Sequence, residues 1–267
     1  MTLVGLRHQA VEIEPGTTIK FWAPSETTKK VKEKAEENVL SSILRCLVPN
    51  KLVFEKVKVD PEEEEKKKKT KMPAVVLLHG FTCEGIMTWQ LQVRPLTSKY
   101  AIYILDLLFF GHSITSRTDW SPEFQGECMV LLIKFSELFA NNCAVVGFSY
   151  GGMVGFKMAE LHPDMVKSLV VTGAVTAFTD SLNAKTIGRL GFSSPSDFLL
   201  PTSVEGVKTL LKAGIYMKPW LSDRVFKDYF QVMFNNRKER AELLETLISS
   251  SKDATIPNFT QVCKPTI

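Results

Sequence analysis

The chain has 267 residues, enough for one large α/β domain or two small ones. Apolar residues make up 45% and charged residues 23%, a balance that excludes collagen-like, coiled-coil and wholly disordered chains. The 33 Lys and Arg against 29 Asp and Glu leave +4, too weak a bias to point to nucleic acid. Five cysteines (Cys46, Cys83, Cys128, Cys143, Cys263) are odd in number and show no C-x-x-C spacing. Neither a disulfide framework nor a structural zinc site is expected, and a reducing compartment is the default. No apolar run reaches the ~18–20 residues that span a bilayer. Residues Met1 to His8 lack the apolar core of a signal peptide. A cytoplasmic protein without a transmembrane segment is expected.

Residues 7–13 and 17–23 alternate around Glu14-Pro15-Gly16 and read as a β-hairpin. Residues 24–72 then form a charged insertion. An apolar patch (Val39, Leu40, Ile43, Leu44, Leu47) and Leu52-Val53-Phe54 interrupt it, and it closes with Glu62 to Glu65 followed by Lys66 to Lys69. Such charge blocks bury nothing, so 60–72 reads as a solvated linker, with docking on an acidic surface as the alternative.

From residue 74 the pattern becomes regular. Ala74 to Leu78 is a continuous apolar run of the kind found in strands buried on both faces, and 101–105, 144–146 and 166–171 repeat it. Between them, Ser121-Pro122-Glu123 starts a helix with an N-cap, a proline at the first position and an acid in the first turn. Its expected buried stripe is Phe124, Leu131, Leu132, Phe135 and Leu138. A second helix runs from Tyr150 to Leu161 and is stopped by Pro163. Strand–helix alternation predicts a doubly wound, mostly parallel sheet with helices on both faces. After Gly173 the chain turns helical. Residues 222–235 place Val225, Phe226, Tyr229, Phe230, Met233 and Phe234 near one face, with Phe192, Phe198, Tyr216, Met217 and Trp220 close in sequence. These residues either pack as core or line an apolar pocket.

Chemistry is carried by Gly147-Phe148-Ser149-Tyr150-Gly151-Gly152, a G-x-S-x-G between a predicted strand and a predicted helix. A serine there sits on a tight turn that only small neighbours permit. Its hydroxyl projects near the positive end of the following helix. His79-Gly80-Phe81 ends the first buried strand, and Asp106 to Ser113 follows the next. No Walker-type loop, H-E-x-x-H or EF-hand spacing appears, and no cofactor or metal is expected.

Strand–His-Gly, strand–Asp…Gly-His-Ser, strand–G-x-S-x-G-G and a helical insertion follow one another in this order. In this the chain resembles the α/β-hydrolase superfamily, in particular its capped, serine-nucleophile esterase/lipase members common in plants. The resemblance covers residues 5–23 and about 73–260. It implies a core at 1–173, a helical cap at 174–260 and a divergent tail at 261–267. It also implies Ser149 as nucleophile and the backbone N–H groups of Phe81 and Tyr150 as oxyanion hole, supported by His79, Gly80, Gly147, Gly151 and Gly152. The substrate or ligand it implies is a small hydrophobic ester or acyl compound.

In that family the triad acid and histidine follow the cap, in the order Ser, acid, His. The chain closes at Ile267, where the resemblance places the start of the next strand, so the last two strands, the acid and the base are expected to be missing. The histidines available are His8, His79, His112 and His162. His162 lies about twelve residues along the helix from Ser149, roughly 18–20 Å away. His79 is the nearest candidate base and Asp180 a candidate acid, though the family pattern favours neither. A nearly inactive serine hydrolase is expected, with a non-catalytic ligand-binding or interaction protein as the alternative. The strand at 166–171 is expected to be an unprotected edge, favouring poor solubility or chaperone association. Asn258-Phe259-Thr260 reads as a chance glycosylation sequon.

Overall fold

The computed structural model describes residues 2–3, 5–25, 72–135, 142–174, 180–214 and 221–250. The expectations for residues 26–71, for Leu138, Tyr216, Met217 and Trp220, for the sequon at Asn258 and for the tail at 261–267 lie outside these residues.

The chain opens with β1 (Thr2–Leu3), β2 (Leu6–Glu14) and β3 (Thr17–Pro24). The last two form the expected hairpin, in register at Gln9–Phe21 and Val11–Ile19. Next come β4 (Ala74–Leu78), α1 (Gly85–Leu96), β5 (Ala101–Leu105), β6 (Ile114–Thr115) and α2 (Pro122–Phe135). Then follow β7 (Cys143–Phe148), α3 (Tyr150–Leu161) and β8 (Val166–Thr172). Five further helices are α4 (Asp180–Leu190), α5 (Pro195–Leu199), α6 (Val204–Gly214), α7 (Asp223–Met233) and α8 (Arg237–Ser250). No helix among the described residues is long and apolar enough to cross a membrane.

The strands make one mixed sheet in the order β1-β2-β3-β5-β4-β7-β8, with β6 pairing β3. It is parallel from β5 to β8, while the N-terminal hairpin joins β5 antiparallel. Alternate residues of the central strands enter different cores, as a period of two requires. Val75, Leu77, Ile102 and Ile104 pack with Trp89 and Val93 of α1. Val76, Leu78, Leu105 and Val145 face the other way, into a core shared with Met129 and Leu132 of α2 and Val154 and Met158 of α3.

Three expectations need correction. The run at 166–171 is not buried on both faces: among the described residues β8 is the last strand of the sheet, Val166 is its one buried residue, and Val170 is 55% exposed. The stripe on α2 is centred on Cys128, Met129 and Leu132, which turns Leu131 to solvent. Ser121 does cap that helix, its hydroxyl accepting the Phe124 N–H at 3.1 Å. On α7, Phe226, Tyr229, Phe230 and Met233 point inward, while Val225 lies outside the arc and is 45% exposed.

The later helices share the α2–α3 core through Val207, Leu210, Met233, Phe234, Leu243, Leu244 and Leu247.

Candidate active site

Ser149 stands between β7 and α3 with φ 53° and ψ −119°, a left-handed conformation for a residue that carries a side chain. Such a backbone costs of order 1–3 kcal/mol and persists only where its surroundings over-determine it. Here they do. The Ser149 N–H donates to the Thr172 carbonyl at the end of β8 (2.9 Å), and the Ser149 carbonyl accepts the Gly152 N–H of α3 (2.9 Å). A Cβ at Gly147 would lie 2.5 Å from the Gly151 carbonyl oxygen and the Gly152 Cα. One at Gly151 would lie 2.5 Å from the carbonyl oxygens of Leu78 and His79. The first turn of α3 therefore presses directly on the end of β4, a contact of backbone on backbone. That approach brings Gly80 beside the serine, where a Cβ would be 3.3 Å from the Ser149 Cβ.

Phe81 and Tyr150 flank this point from the two strand ends. Their rings meet edge to face at 5.8 Å, and the Phe110 ring touches both, at 5.3 Å and 6.2 Å. Tyr150 is buried, and its hydroxyl lies near Gln125, whose amide already holds both polar backbone groups of Leu108.

His79 is fully buried and fully engaged. Its Nε2 accepts the Leu107 N–H at 3.0 Å, which leaves Nδ1 to donate to the Gly80 carbonyl at 2.8 Å. Burial lowers its pKa to about 4. A ring with its lone pair already bonded cannot take the Ser149 proton, so the structure removes His79 as a base and leaves it as a brace between the 79–81 and 106–113 loops. Nor do the other histidines reach the serine. His8 of β2 meets the Trp22 ring of β3 at 5.0 Å, four strands from β7 in the sheet, and His112 is exposed on the loop after β5. His162 caps the far end of α3. Asp180 opens α4, and its side chain lies outside the described residues.

Asp106 is buried, and its Oδ1 accepts the Gly85 N–H at 2.8 Å. Burial pushes its pKa up to about 7, with Glu84 adding to the shift. The Ser113 hydroxyl donates to the Asp106 carbonyl at 2.8 Å, closing the loop that carries Phe109 and Phe110.

Two residues that the sequence reading did not single out join the later helices to these loops. The Arg240 guanidinium is fully buried over the Phe110 ring, 4.2 Å from its centroid. It donates to the Phe109 carbonyl (3.1 Å), to Asn235 Oδ1 (2.9 Å) and to the Met233 carbonyl. Asn236 adds a second donor to the Phe109 carbonyl at 3.2 Å. The signal was present: Arg240 lies three, four and seven residues before Leu243, Leu244 and Leu247, on their apolar stripe. Tyr229, placed by the sequence on an apolar face, also uses its hydroxyl. It donates to the Thr82 carbonyl at 3.1 Å, leaving the Cys83 thiol, 2.7 Å away, to donate to it.

Residues 73–194 match the family described as alpha/beta hydrolase fold. Human epoxide hydrolase 4 is 32% identical over 101 residues, which cover 37% of this chain and 27% of that protein. The pimeloyl-[acyl-carrier protein] methyl ester esterase of Aeromonas hydrophila is 29% identical over 107 residues, 40% of this chain and 39% of that protein. The match thus spans well under two thirds of either relative. Among solved structures, the 2-hydroxy-6-oxo-6-phenylhexa-2,4-dienoate hydrolase of Rhodococcus sp. strain RHA1 superposes with a TM-score of 0.62 at 14% identity, covering 93% of this chain and 75% of that one. The epoxide hydrolase CorEH gives 0.59 at 15%, covering 93% and 76%. At such identities the likeness speaks to fold. Strand order, the turn at Ser149 and the match over 73–194 agree on one architecture, the α/β-hydrolase fold.

Proposed function

We propose that the chain carries the nucleophile and oxyanion elements of a carboxylic-ester hydrolase of the esterase/lipase type, the branch common in plants. The observation that carries this reading is the left-handed Ser149 held between β7 and α3 with the Gly80 backbone beside it. Ser149 Oγ attacks an acyl carbonyl, and the carbonyl oxygen takes up the electron pair as an oxyanion. The N–H groups of Phe81 and Tyr150 are the donors that receive it, and removing one such donor typically costs about 2.7–4 kcal/mol of transition-state stabilisation. With no imidazole to carry it, the Ser149 proton passes through water to the departing oxygen, so collapse releases the alcohol and leaves an acyl-serine, which water hydrolyses to the acid and free Ser149. A serine at this position favours acyl carbonyls over epoxides, whose ring carbons form no tetrahedral oxyanion. Helices α4 to α8 act as the cap of 174–260, and their aromatic faces suit a small hydrophobic ester.

None of the four histidines can serve as general base, and losing that group from a complete triad costs on the order of a million-fold in rate. The 267-residue chain therefore hydrolyses short acyl p-nitrophenyl esters barely above a Ser149→Ala control. Turnover at ordinary esterase rates, abolished by Ser149→Ala, would mean that a base has been missed. The second reading, a ligand-binding protein on the same fold, is favoured by the locked His79. It predicts saturable binding of acyl esters that Ser149→Ala leaves intact. Among the described residues β8 has no partner on its outer side, which supports chaperone association in the cytoplasm.

A further inference from the structure

A fully buried arginine is an unexpected choice at position 240. Among the described residues no carboxylate lies within ion-pair distance of it. Glu84 acts on it only across a longer distance; burying a cation without a direct ion pair is expensive, and a leucine there would simply have continued the stripe of Leu243, Leu244 and Leu247. What the guanidinium gains instead is a fixed position. Three acceptors, the Phe109 and Met233 carbonyls and Asn235 Oδ1, fix its plane, and the face of Phe110 completes the cage. Phe109 itself has φ 71°, a left-handed backbone on a bulky residue, and its carbonyl is held by both Arg240 and Asn236. The aim of the next residue, Phe110, thus depends on the α7–α8 turn. Phe110 in turn packs on Phe81 (5.3 Å), Tyr150 (6.2 Å) and His79 (5.0 Å).

We propose that Arg240 is a positioning residue of the Ser149 site: stacked on Phe110, it fixes Phe81 and Tyr150, and with them the two backbone N–H groups that receive the oxyanion. This rests on the esterase reading above. It adds that the α7–α8 turn is part of the catalytic geometry as well as a roof.

The test uses the full chain and a p-nitrophenyl phosphonate, whose phosphoryl oxygen occupies the oxyanion position once Ser149 is modified. Wild type, Ser149→Ala, Arg240→Met, Arg240→Lys and, as control, Arg237→Met are compared. Arg237 lies one turn earlier on α8 and holds the Leu200 and Pro201 carbonyls, away from Phe110. Two quantities are read: the saturating rate of Ser149 modification with its half-saturating concentration, and the ¹⁵N–¹H amide shifts of Phe81 and Tyr150. Wherever wild-type modification stands above the Ser149→Ala control, Arg240→Met is expected to lower the excess rate by up to about 10²-fold, the effect of a misplacement near 1 Å, with half-saturation nearly unchanged. It also moves both amide resonances. Arg240→Lys, which keeps the charge but has no planar fork, does not restore either quantity. Arg237→Met changes neither.

A folded Arg240→Met with unmoved Phe81 and Tyr150 amides overturns the proposal, as does full recovery by Arg240→Lys. If Arg240→Met does not fold, Phe110→Leu removes the ring between the guanidinium and the two residues and is read the same way. Wild type that reacts no faster than Ser149→Ala is the outcome expected of a serine without its base and leaves the esterase reading standing; the amide shifts alone then decide the positioning claim, and unmoved shifts overturn it.

Discussion

Around Ser149 the chain is held by close approach of bare backbone. Gly147, Gly151 and Gly80 let β4, β7 and α3 meet at distances that any side chain would occupy. Around the 109–111 loop the opposite device is used, with long polar side chains from α7, α8 and their turn reaching across to backbone carbonyls. Arg240 and Asn236 hold Phe109, Asn235 reaches the Gly111 carbonyl at 3.4 Å, and Tyr229 holds Thr82. The first arrangement is rigid because nothing in it can rotate. The second is strong only while every donor keeps its acceptor, since each buried group left unpaired costs about 1–3 kcal/mol. Ser149 is therefore fixed by the sheet, and its surroundings are fixed by a segment that reaches the sheet through side chains.

The largest effect expected on this contrast comes from Gly151→Ala. Its methyl would press on the Leu78 and His79 carbonyls, which belong to β4 and its end and cannot move aside. A loss of about 3 kcal/mol is expected, which for a domain of this size lowers the thermal midpoint by about 6–12 °C. A loss under about 1 kcal/mol would show that the turn tolerates side chains and would break the contrast.

Next in size is a pH effect from the two buried groups that share the loop. His79, ordinarily near 6.5, is held neutral down to about 4, so its contribution is complete above pH 6.5 and is lost as pH falls toward 4. Asp106, ordinarily near 3.8, is held protonated up to about 7, so its contribution is complete below pH 3.8 and is lost as pH rises toward 7. Between pH 4 and 6.5 the two slopes oppose each other. Asp106→Asn, whose amide oxygen can still accept the Gly85 N–H, removes one slope and exposes the other. Denaturant unfolding from pH 4 to 7 should then show stability rising steeply with pH in the variant and weakly in the wild type. Equal slopes would remove Asp106 as a buried, protonated acid.

Smaller effects separate the two regions further. Tyr229→Phe removes one hydroxyl that joins α7 to Thr82 and Cys83, and about 1 kcal/mol of stability should go with it. Hydrogen exchange should show faster opening of α7 and α8 while β4 and β7 keep their protection. Uniform loss across the sheet would mean that the helices and the sheet unfold as one unit. Ser149→Gly should act in the other direction, relieving the left-handed backbone for a gain of up to about 1 kcal/mol. A destabilised Ser149→Gly would mean that the serine side chain contributes more to folding than its backbone costs.

The hairpin, the four parallel strands and helices α2 and α3 were legible because each rests on a local rule. An apolar run of strand length, a turn tripeptide, an N-cap serine before a proline, and a proline after the last turn all act within a few residues. The position of Ser149 was legible for the same reason, since glycines on both sides of a serine between a strand and a helix leave few other conformations. Burial was less legible. Leu131, Val170 and Val225 are apolar yet exposed, because exposure is decided by which neighbour covers a face and at what angle.

The sequence by itself determined that this protein has a strand–serine–helix turn in an α/β sheet, because steric limits on the backbone are local. Only the tertiary structure decided that His79 is locked between Gly80 and Leu107, and that Arg240 lies across Phe110. Both depend on residues 28 and 130 or more positions apart meeting in space, and the chain records such meetings only as single polar residues in otherwise apolar surroundings.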